Sequence, residues 1–299
     1  MSKIYMAGVG GMLGEAFHHV FKDSHELLCT DKDVNAPWLS QLDFRDRTEY
    51  ARQVLDFRPD YLFHIGAHTS LEFCEDNVDD AYATNTLPVE DAVWLANRLD
   101  IPLLYISTAG IFDGAQETYD DWDQANPLGH YARSKYMGER FVVENAQRYL
   151  VCRAGWMMGA GPNKDKKFIQ KLARQLKDGA KELKVVDDKL GTPTYTRDFA
   201  AQVKILIERE LWGLYNMVCS GVTSRFEVAE YLVKTLGKCN QVAVSPVSSD
   251  YFAKEYFAPR PPSERLMTKK LDLRGVNVMR DWRVCLDEYL AEFYAGYLT

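Results

Sequence analysis

Apolar positions in the first half of the chain fall into short continuous runs separated by stretches of helical spacing. Lys3 to Ala7 is the first such run. It leads into Gly8-Val-Gly10-Gly11-Met12-Leu13-Gly14, after which apolar residues recur at Leu13, Ala16, Phe17, Val20 and Phe21, one face of a helix. The alternation then repeats. Strands are expected at Glu26 to Thr30, Tyr61 to Ile65, Leu103 to Ser107 and Tyr149 to Arg153. Helices are expected after Asp43, from about Leu87 to Arg98, and along the amphipathic run from Tyr131 through Glu144. Uninterrupted apolar strands suit a sheet buried on both faces. Their alternation with helices predicts an α/β fold with a doubly wound, Rossmann-like parallel sheet.

Beyond residue 155 the pattern loosens. A polar loop from Gly159 to Lys167 precedes a helix at Phe168 to Lys177. A helix at Arg197 to Glu208 and a strand at Leu214 to Val218 read as a return to the sheet. A helix at Phe226 to Leu236, a short strand at Val242 to Ser245 and a closing helix at Cys285 to Tyr297 complete the chain. The expected organisation is a dinucleotide-binding domain over 1–155, with returning segments near 192–220 and 258–285. A smaller α/β substrate lobe over 156–299 is interleaved with it, and the site lies in the cleft between the two.

Composition narrows the classes. The 299 residues suffice for one large or two modest domains with proper cores. Net charge is -7 and the basic residues are scattered, which argues against a nucleic-acid partner. No apolar run approaches the roughly 18 residues of a membrane span. Met1-Ser-Lys-Ile leads directly into a strand pattern, so a cytoplasmic protein is expected. The six cysteines stand singly, without metal-ligand spacing, and are expected to be buried free thiols.

Candidate chemistry follows the strand ends. A strand, a glycine turn and a helix form the setting in which a backbone approaches a pyrophosphate at a helix N-terminus. The usual G-x-G-x-x-G count from Gly8 fails at Leu13, whereas Gly8, Gly11 and Gly14 give G-x-x-G-x-x-G. The alternative is a tight turn without a ligand. Gly8, Gly11, Met12, Leu13 and Gly14 are therefore candidate cofactor residues, with Asp31 about 20 residues on as a ribose acceptor. An acid there favours NADH, while Lys32 beside it leaves NADPH open. Asp43 and Phe44 are placed to edge an adenine, Asp43 being alternatively a helix cap. Gly66, Ala67 and His68 are small or polar residues at the next strand end. His64 and His68 read as structural, not as metal ligands. Thr108 ends a further strand and can offer a hydroxyl to a reacting oxygen. Tyr131 and Lys135 are one helical turn apart, so the ammonium is expected to draw the phenol pKa down toward neutrality. The alternative is an ordinary helix face.

The order Gly8/Gly11/Gly14, Asp31, Thr108, Tyr131 with Lys135 resembles an extended short-chain dehydrogenase/reductase. Arg153-Ala-Gly-Trp156, Val185 through Arg197 with Gly191-Thr-Pro-Thr194, Ala258-Pro-Arg260-Pro-Pro262-Ser-Glu-Arg-Leu266 and Asp281-Trp282 resemble, more narrowly, the dTDP-4-dehydrorhamnose reductase family across essentially the whole chain. The resemblance implies NADPH- or NADH-dependent reduction of a nucleoside-diphosphate-linked 4-keto-6-deoxy sugar, dTDP-4-dehydrorhamnose to dTDP-rhamnose above all. It places the catalytic trio on Thr108, Tyr131 and Lys135, with Tyr131 and Lys135 also on the cofactor, and a sugar contact on Trp156. Arg260, in its proline-rich loop, is a candidate diphosphate or sugar contact. Two departures stand out. The family reads Ser-Thr-Asp-Tyr-Val-Phe-Asp-Gly where this chain has Ala109 and Gly110 for the Asp and Tyr, a change on the substrate side that bears on which sugar is bound. Some members bind magnesium through glutamates, but the matching residue here is Ala16, so no metal is carried over. A cofactor-binding regulatory subunit and a nucleotide-sugar epimerase remain open as alternatives, and a homodimer is the default assembly.

Overall fold

The computed structural model describes residues 1–297. Seven parallel strands form one sheet, running from one edge through Gly213–Met217, Tyr149–Ala154, Leu103–Thr108, Tyr61–His64, Lys3–Ala7 and Glu26–Asp31 to Leu39–Gln41 at the other. Residues alternate across the first strand. Ile4 and Met6 join the core with Phe17, Phe199 and Val203, while Tyr5 and Ala7 join Val89, Val93 and Val142 on the opposite face. Both faces are thus buried, which is why these strands read as unbroken apolar runs. The chain winds outward from Lys3–Ala7 to Leu39–Gln41, then crosses to Tyr61–His64 and winds the other way. The order reverses between Lys3–Ala7 and Tyr61–His64, where such sheets open a ligand crevice.

The helices Met12–Phe21 and Thr196–Glu208 pack on one face. Arg47–Phe57, Leu87–Leu99 and His130–Asn145 cover the other. Outside the main sheet, three small pairings build the remaining β structure. They join Glu182–Val186 to Ala243–Val247, Trp156–Met158 to Pro193–Tyr195, and Leu190–Gly191 to Thr223–Ser224. No helix among the described residues is long and apolar enough to cross a membrane.

Three expectations need correction. The closing helix is Trp282–Phe293, beginning earlier than Cys285 because the Asp281 carboxylate accepts from the Arg283 N–H and caps it. The helix after Asp43 is capped by Asp46, which accepts from Glu49 N, not by Asp43. Five cysteines are buried free thiols, but Cys239 is exposed.

Candidate active site

The glycine turn is shaped by its neighbours. Gly8 has φ +76°, and a Cβ there would stand 2.2 Å from the Gly66 Cα. A Cβ on Gly14 would lie 2.1 Å from the Val9 carbonyl oxygen. Those two glycines are thus required by the protein's own packing. Gly11 is different: nothing lies within 4 Å of a Cβ built there, although it is the N-cap of Met12–Phe21 and that helix start has no side-chain cap. Exposed backbone N–H groups at an uncapped helix start form a cradle for an anion, so these residues fit a dinucleotide pyrophosphate. Leu13 is buried in the core and Met12 is partly exposed at the turn.

Asp31 closes the turn from the side, its Oδ2 accepting from Gly10 N at 2.7 Å and its Oδ1 from Asp33 N at 3.0 Å. The Phe44 ring packs against Gly8 and Gly66 and meets His64 edge-on at 5.0 Å. Asp43 faces Arg45, with Oδ2 2.5 Å from Nη2, and that guanidinium holds the carboxyl below its ordinary range. Arg45 also reaches Asp80 at 3.0 Å, and Asp80 accepts from His68 Nε2 at 2.8 Å. Beside Ala67, the 66–68 loop is tied to the helix His130–Asn145 by Asn85. Its Oδ1 accepts from His68 N, while its Nδ2 donates to the His68 carbonyl and to Ser134 Oγ. His64 is buried, its Nδ1 3.2 Å from the Tyr50 hydroxyl, and burial pulls its pKa down to about 3. It is a neutral core residue.

The helix His130–Asn145 starts where Glu75 Oε1 accepts from His130 N, a cap supplied by another helix. This sets Tyr131 beside Thr108 at the carboxyl end of Leu103–Thr108. Thr108 Oγ1 accepts from Gly110 N at 3.1 Å, and the Thr108 side chain lies close enough to the Tyr131 phenol to favour its charged form. Burial pushes that phenol up to about 12, the Thr108 hydrogen bond acting against the rise and Glu264 and Cys74 adding to it. Lys135, 3% exposed, lies with Nζ 4.2 Å from the Tyr105 ring centre. Burial draws its pKa down to about 7, partly offset by Glu139 one turn on. The expected lowering of the Tyr131 pKa is therefore not found in the protein by itself. Desolvation disfavours the charged form of both groups, and the amine that would supply the field is itself half neutral near pH 7.

On the opposite wall, Trp156 Nε1 donates to Glu264 Oε2 at 2.7 Å, and the Arg225 guanidinium lies 4.1 Å from the indole ring and 4.9 Å from Phe168. Ala109 is buried with Ile111, Phe112 and Tyr119. Arg260 ties its loop to the helix Leu71–Asp76, its Nη2 2.7 Å from Glu72 Oε1. Of the polar loop, Lys164 pairs with Glu15 at 3.1 Å and Lys167 donates to Thr69 Oγ1 at 2.9 Å. Sequence reasoning did not single out Asn85, Arg225 or Glu264. Glu264 stands inside the motif that supplied Arg260, but nothing local to that motif shows that it meets Trp156. Among the described residues no group of three or more His, Cys, Asp or Glu side chains is arranged to hold a metal ion.

The comparisons with known proteins agree with one another. Residues 2–295 match the family model described as the RmlD substrate binding domain. The chain is 30% identical over 295 residues to the dTDP-4-dehydrorhamnose reductase of Mycobacterium tuberculosis, covering 97% of this chain and 92% of that one. It is 27% identical over 294 residues to the spore coat polysaccharide biosynthesis protein SpsK of Bacillus subtilis, covering 98% of each. Among solved structures, the Bacillus anthracis dTDP-4-dehydrorhamnose reductase in complex with NADP superimposes with a TM-score of 0.89 at 28% identity, over 97% of this chain and 99% of that one. With its sheet, its glycine turn and its Thr108–Tyr131 pair in place, the chain belongs to the dTDP-4-dehydrorhamnose reductase family.

Proposed function

We propose that this protein is an NAD(P)H-dependent oxidoreductase that reduces the 4-keto group of a nucleoside-diphosphate-linked 4-keto-6-deoxy sugar, dTDP-4-dehydrorhamnose to dTDP-rhamnose. The observation that carries the reading is the Thr108 hydroxyl meeting the Tyr131 phenol at a strand end beside the crevice, with Lys135 one turn further along the helix. The names of the relatives, and the NADP bound to one of them, support it.

Gly8, Gly11, Met12, Leu13 and Gly14 would hold the pyrophosphate of the cofactor, Asp31 its adenosine ribose, Asp43 and Phe44 the adenine side, and Gly66, Ala67 and His68 the middle of the dinucleotide. The reduced nicotinamide supplies a hydride to the carbonyl carbon when bound. Tyr131, protonated throughout the physiological range because burial holds its pKa high, gives its proton to the carbonyl oxygen as the alkoxide develops. Thr108 would give its one hydroxyl proton as a second hydrogen bond to that oxygen, so the developing charge meets two donors. Lys135, once protonated, steadies the tyrosinate and holds the nicotinamide ribose. The 156–299 lobe would carry the nucleotide sugar through Trp156 and Arg260, whereas Ala109, buried with Phe112 and Tyr119, has no side chain to offer the sugar.

Incubation of the purified protein with NADPH or NADH and dTDP-4-dehydrorhamnose tests the proposal. Loss of the reduced-nicotinamide absorbance in step with formation of dTDP-rhamnose supports it. Change of the sugar without that loss would favour an epimerase, and cofactor binding without either would favour a regulatory subunit.

A further inference from the structure

Glu264 is held at the mouth of the site by the chain itself. Leu190 N donates to the Pro262 carbonyl at 2.9 Å, and Glu264 N donates to the Leu190 carbonyl at 2.8 Å, so the backbone at this position is pinned from both sides. One carboxylate oxygen is committed: Oε2 accepts from Trp156 Nε1. The other faces Gly110. A Cβ built on Gly110 would lie 3.3 Å from Glu264 Oε1 and 3.5 Å from Thr108 Oγ1, so both oxygens border the same narrow space beside that glycine, one that even a methyl group would crowd. Among the described residues no side chain or backbone N–H donates to Oε1. Arg225, the nearby cation, stacks on Trp156 instead of forming an ion pair with the carboxylate.

The chemistry of that space is asymmetric. Thr108 and Tyr131 offer protons, whereas an ionised carboxylate can only accept. A ketone flanked by a hydroxyl presents the matching pair, an acceptor oxygen beside a donor. We infer that Glu264 Oε1 accepts a hydrogen bond from the hydroxyl adjacent to the reacting carbonyl of the nucleotide-linked sugar. Glu264 thereby selects keto sugars that carry a donor at that position. The inference rests on the reductase reading of the same site and adds a specificity-determining residue to it.

The test compares wild type with Glu264→Gln. The amide oxygen can still accept from Trp156 Nε1, while its NH2 then stands where Oε1 stood and can offer the sugar hydroxyl only a weaker neutral bond with donor and acceptor reversed. Both enzymes, with NADPH, are assayed on a dTDP-linked 4-keto-6-deoxyhexose and on its 3-deoxy counterpart. Wild type should prefer the hydroxylated sugar by roughly ten- to hundredfold in kcat/KM, the worth of a hydrogen bond to a charged group. In Glu264→Gln the preference should shrink to within about threefold, through loss on the hydroxylated sugar. An undiminished preference in the variant overturns the inference. Calorimetry separates its failure from that of the reductase reading, using dTDP and a dTDP-linked 6-deoxyhexose as ligands. The substitution should weaken the sugar nucleotide while leaving dTDP unchanged. If wild type turns over neither ketosugar, the reductase reading fails and takes the inference with it, whereas turnover by wild type with sugar-nucleotide affinity that ignores the substitution defeats the inference alone. Binding indifferent to the substitution, or absent, refutes it.

Discussion

Gly8 and Gly66 end two adjacent central strands in near contact: a Cβ on Gly8 would stand 2.2 Å from the Gly66 Cα, and Gly8 has φ +76°. Gly11, three residues on, meets nothing within 4 Å. The two positions therefore separate folding from binding. Gly8→Ala should destabilise the protein by about 2 kcal/mol or more in urea unfolding, from steric overlap plus left-handed strain. Gly11→Ala should leave the unfolding midpoint essentially unchanged while weakening NADPH binding by about tenfold, because only the approach of a phosphate to the helix start is obstructed. Equal affinity in Gly11→Ala would mark the turn as structural only.

A buried ion pair backs the helix His130–Asn145. Glu139, 2% exposed, places Oε1 2.6 Å from Nη2 of Arg153 on the strand Tyr149–Ala154. Removing one partner strands the other charge, so Glu139→Ala or Arg153→Ala should each cost about 3 to 5 kcal/mol. Replacing both by Met should recover a large part of that loss. Urea unfolding of the two singles and the double reads this directly.

Lys135 should take up a proton when cofactor binds. Burial sets its pKa to about 7 in the free protein, so at pH 8 it is mostly neutral. Ribose oxygens and an anionic dinucleotide favour the ammonium form and raise that pKa, which adds a proton on binding. Calorimetry of NADPH binding in buffers of different ionisation enthalpy should show an uptake approaching one proton at pH 8. Little uptake is expected at pH 6, where the amine is already charged, and none from this position in Lys135→Met.

Asp31 Oδ2 lies 2.7 Å from Gly10 N, and the proposal puts this carboxylate on the adenosine ribose, where it would repel a 2′-phosphate. Asp31→Ser removes the negative charge and should raise the NADPH-to-NADH ratio of kcat/KM by about tenfold. An unchanged ratio would place the adenosine ribose elsewhere.

Much of the first half was legible because its strands are buried on both faces and so spell themselves as apolar runs. Lys3–Ala7 and Phe168–Lys177 fall where the pattern put them, and Leu103–Thr108 extends its expected strand by one residue. Leu39–Gln41 was missed, since three residues at a sheet edge carry no period. The helices Leu71–Asp76 and Val78–Asn85 were missed as well, each too short to show an amphipathic repeat. The small pairings beyond residue 155 join strands as far apart as Glu182 and Ala243, and no local signal encodes such a partner. The same distinction holds in the site. Thr108 and Tyr131 could be read from strand end and helix start, whereas the Trp156–Glu264 bond links positions 108 residues apart and depends on how the loop at Pro262 docks on Leu190. The pKa of Tyr131 was misjudged because spacing shows charge but not burial.

The central claim is that Tyr131, with Thr108 at its side, protonates the sugar carbonyl oxygen. Tyr131→Phe removes that proton and leaves the glycine turn and Lys135 untouched, so the decisive measurement is its kcat with NADPH and dTDP-4-dehydrorhamnose alongside its NADPH affinity. A fall in kcat of about a hundredfold to ten-thousandfold, with NADPH binding held within a few fold, is the predicted result. Wild-type turnover by Tyr131→Phe would contradict the account.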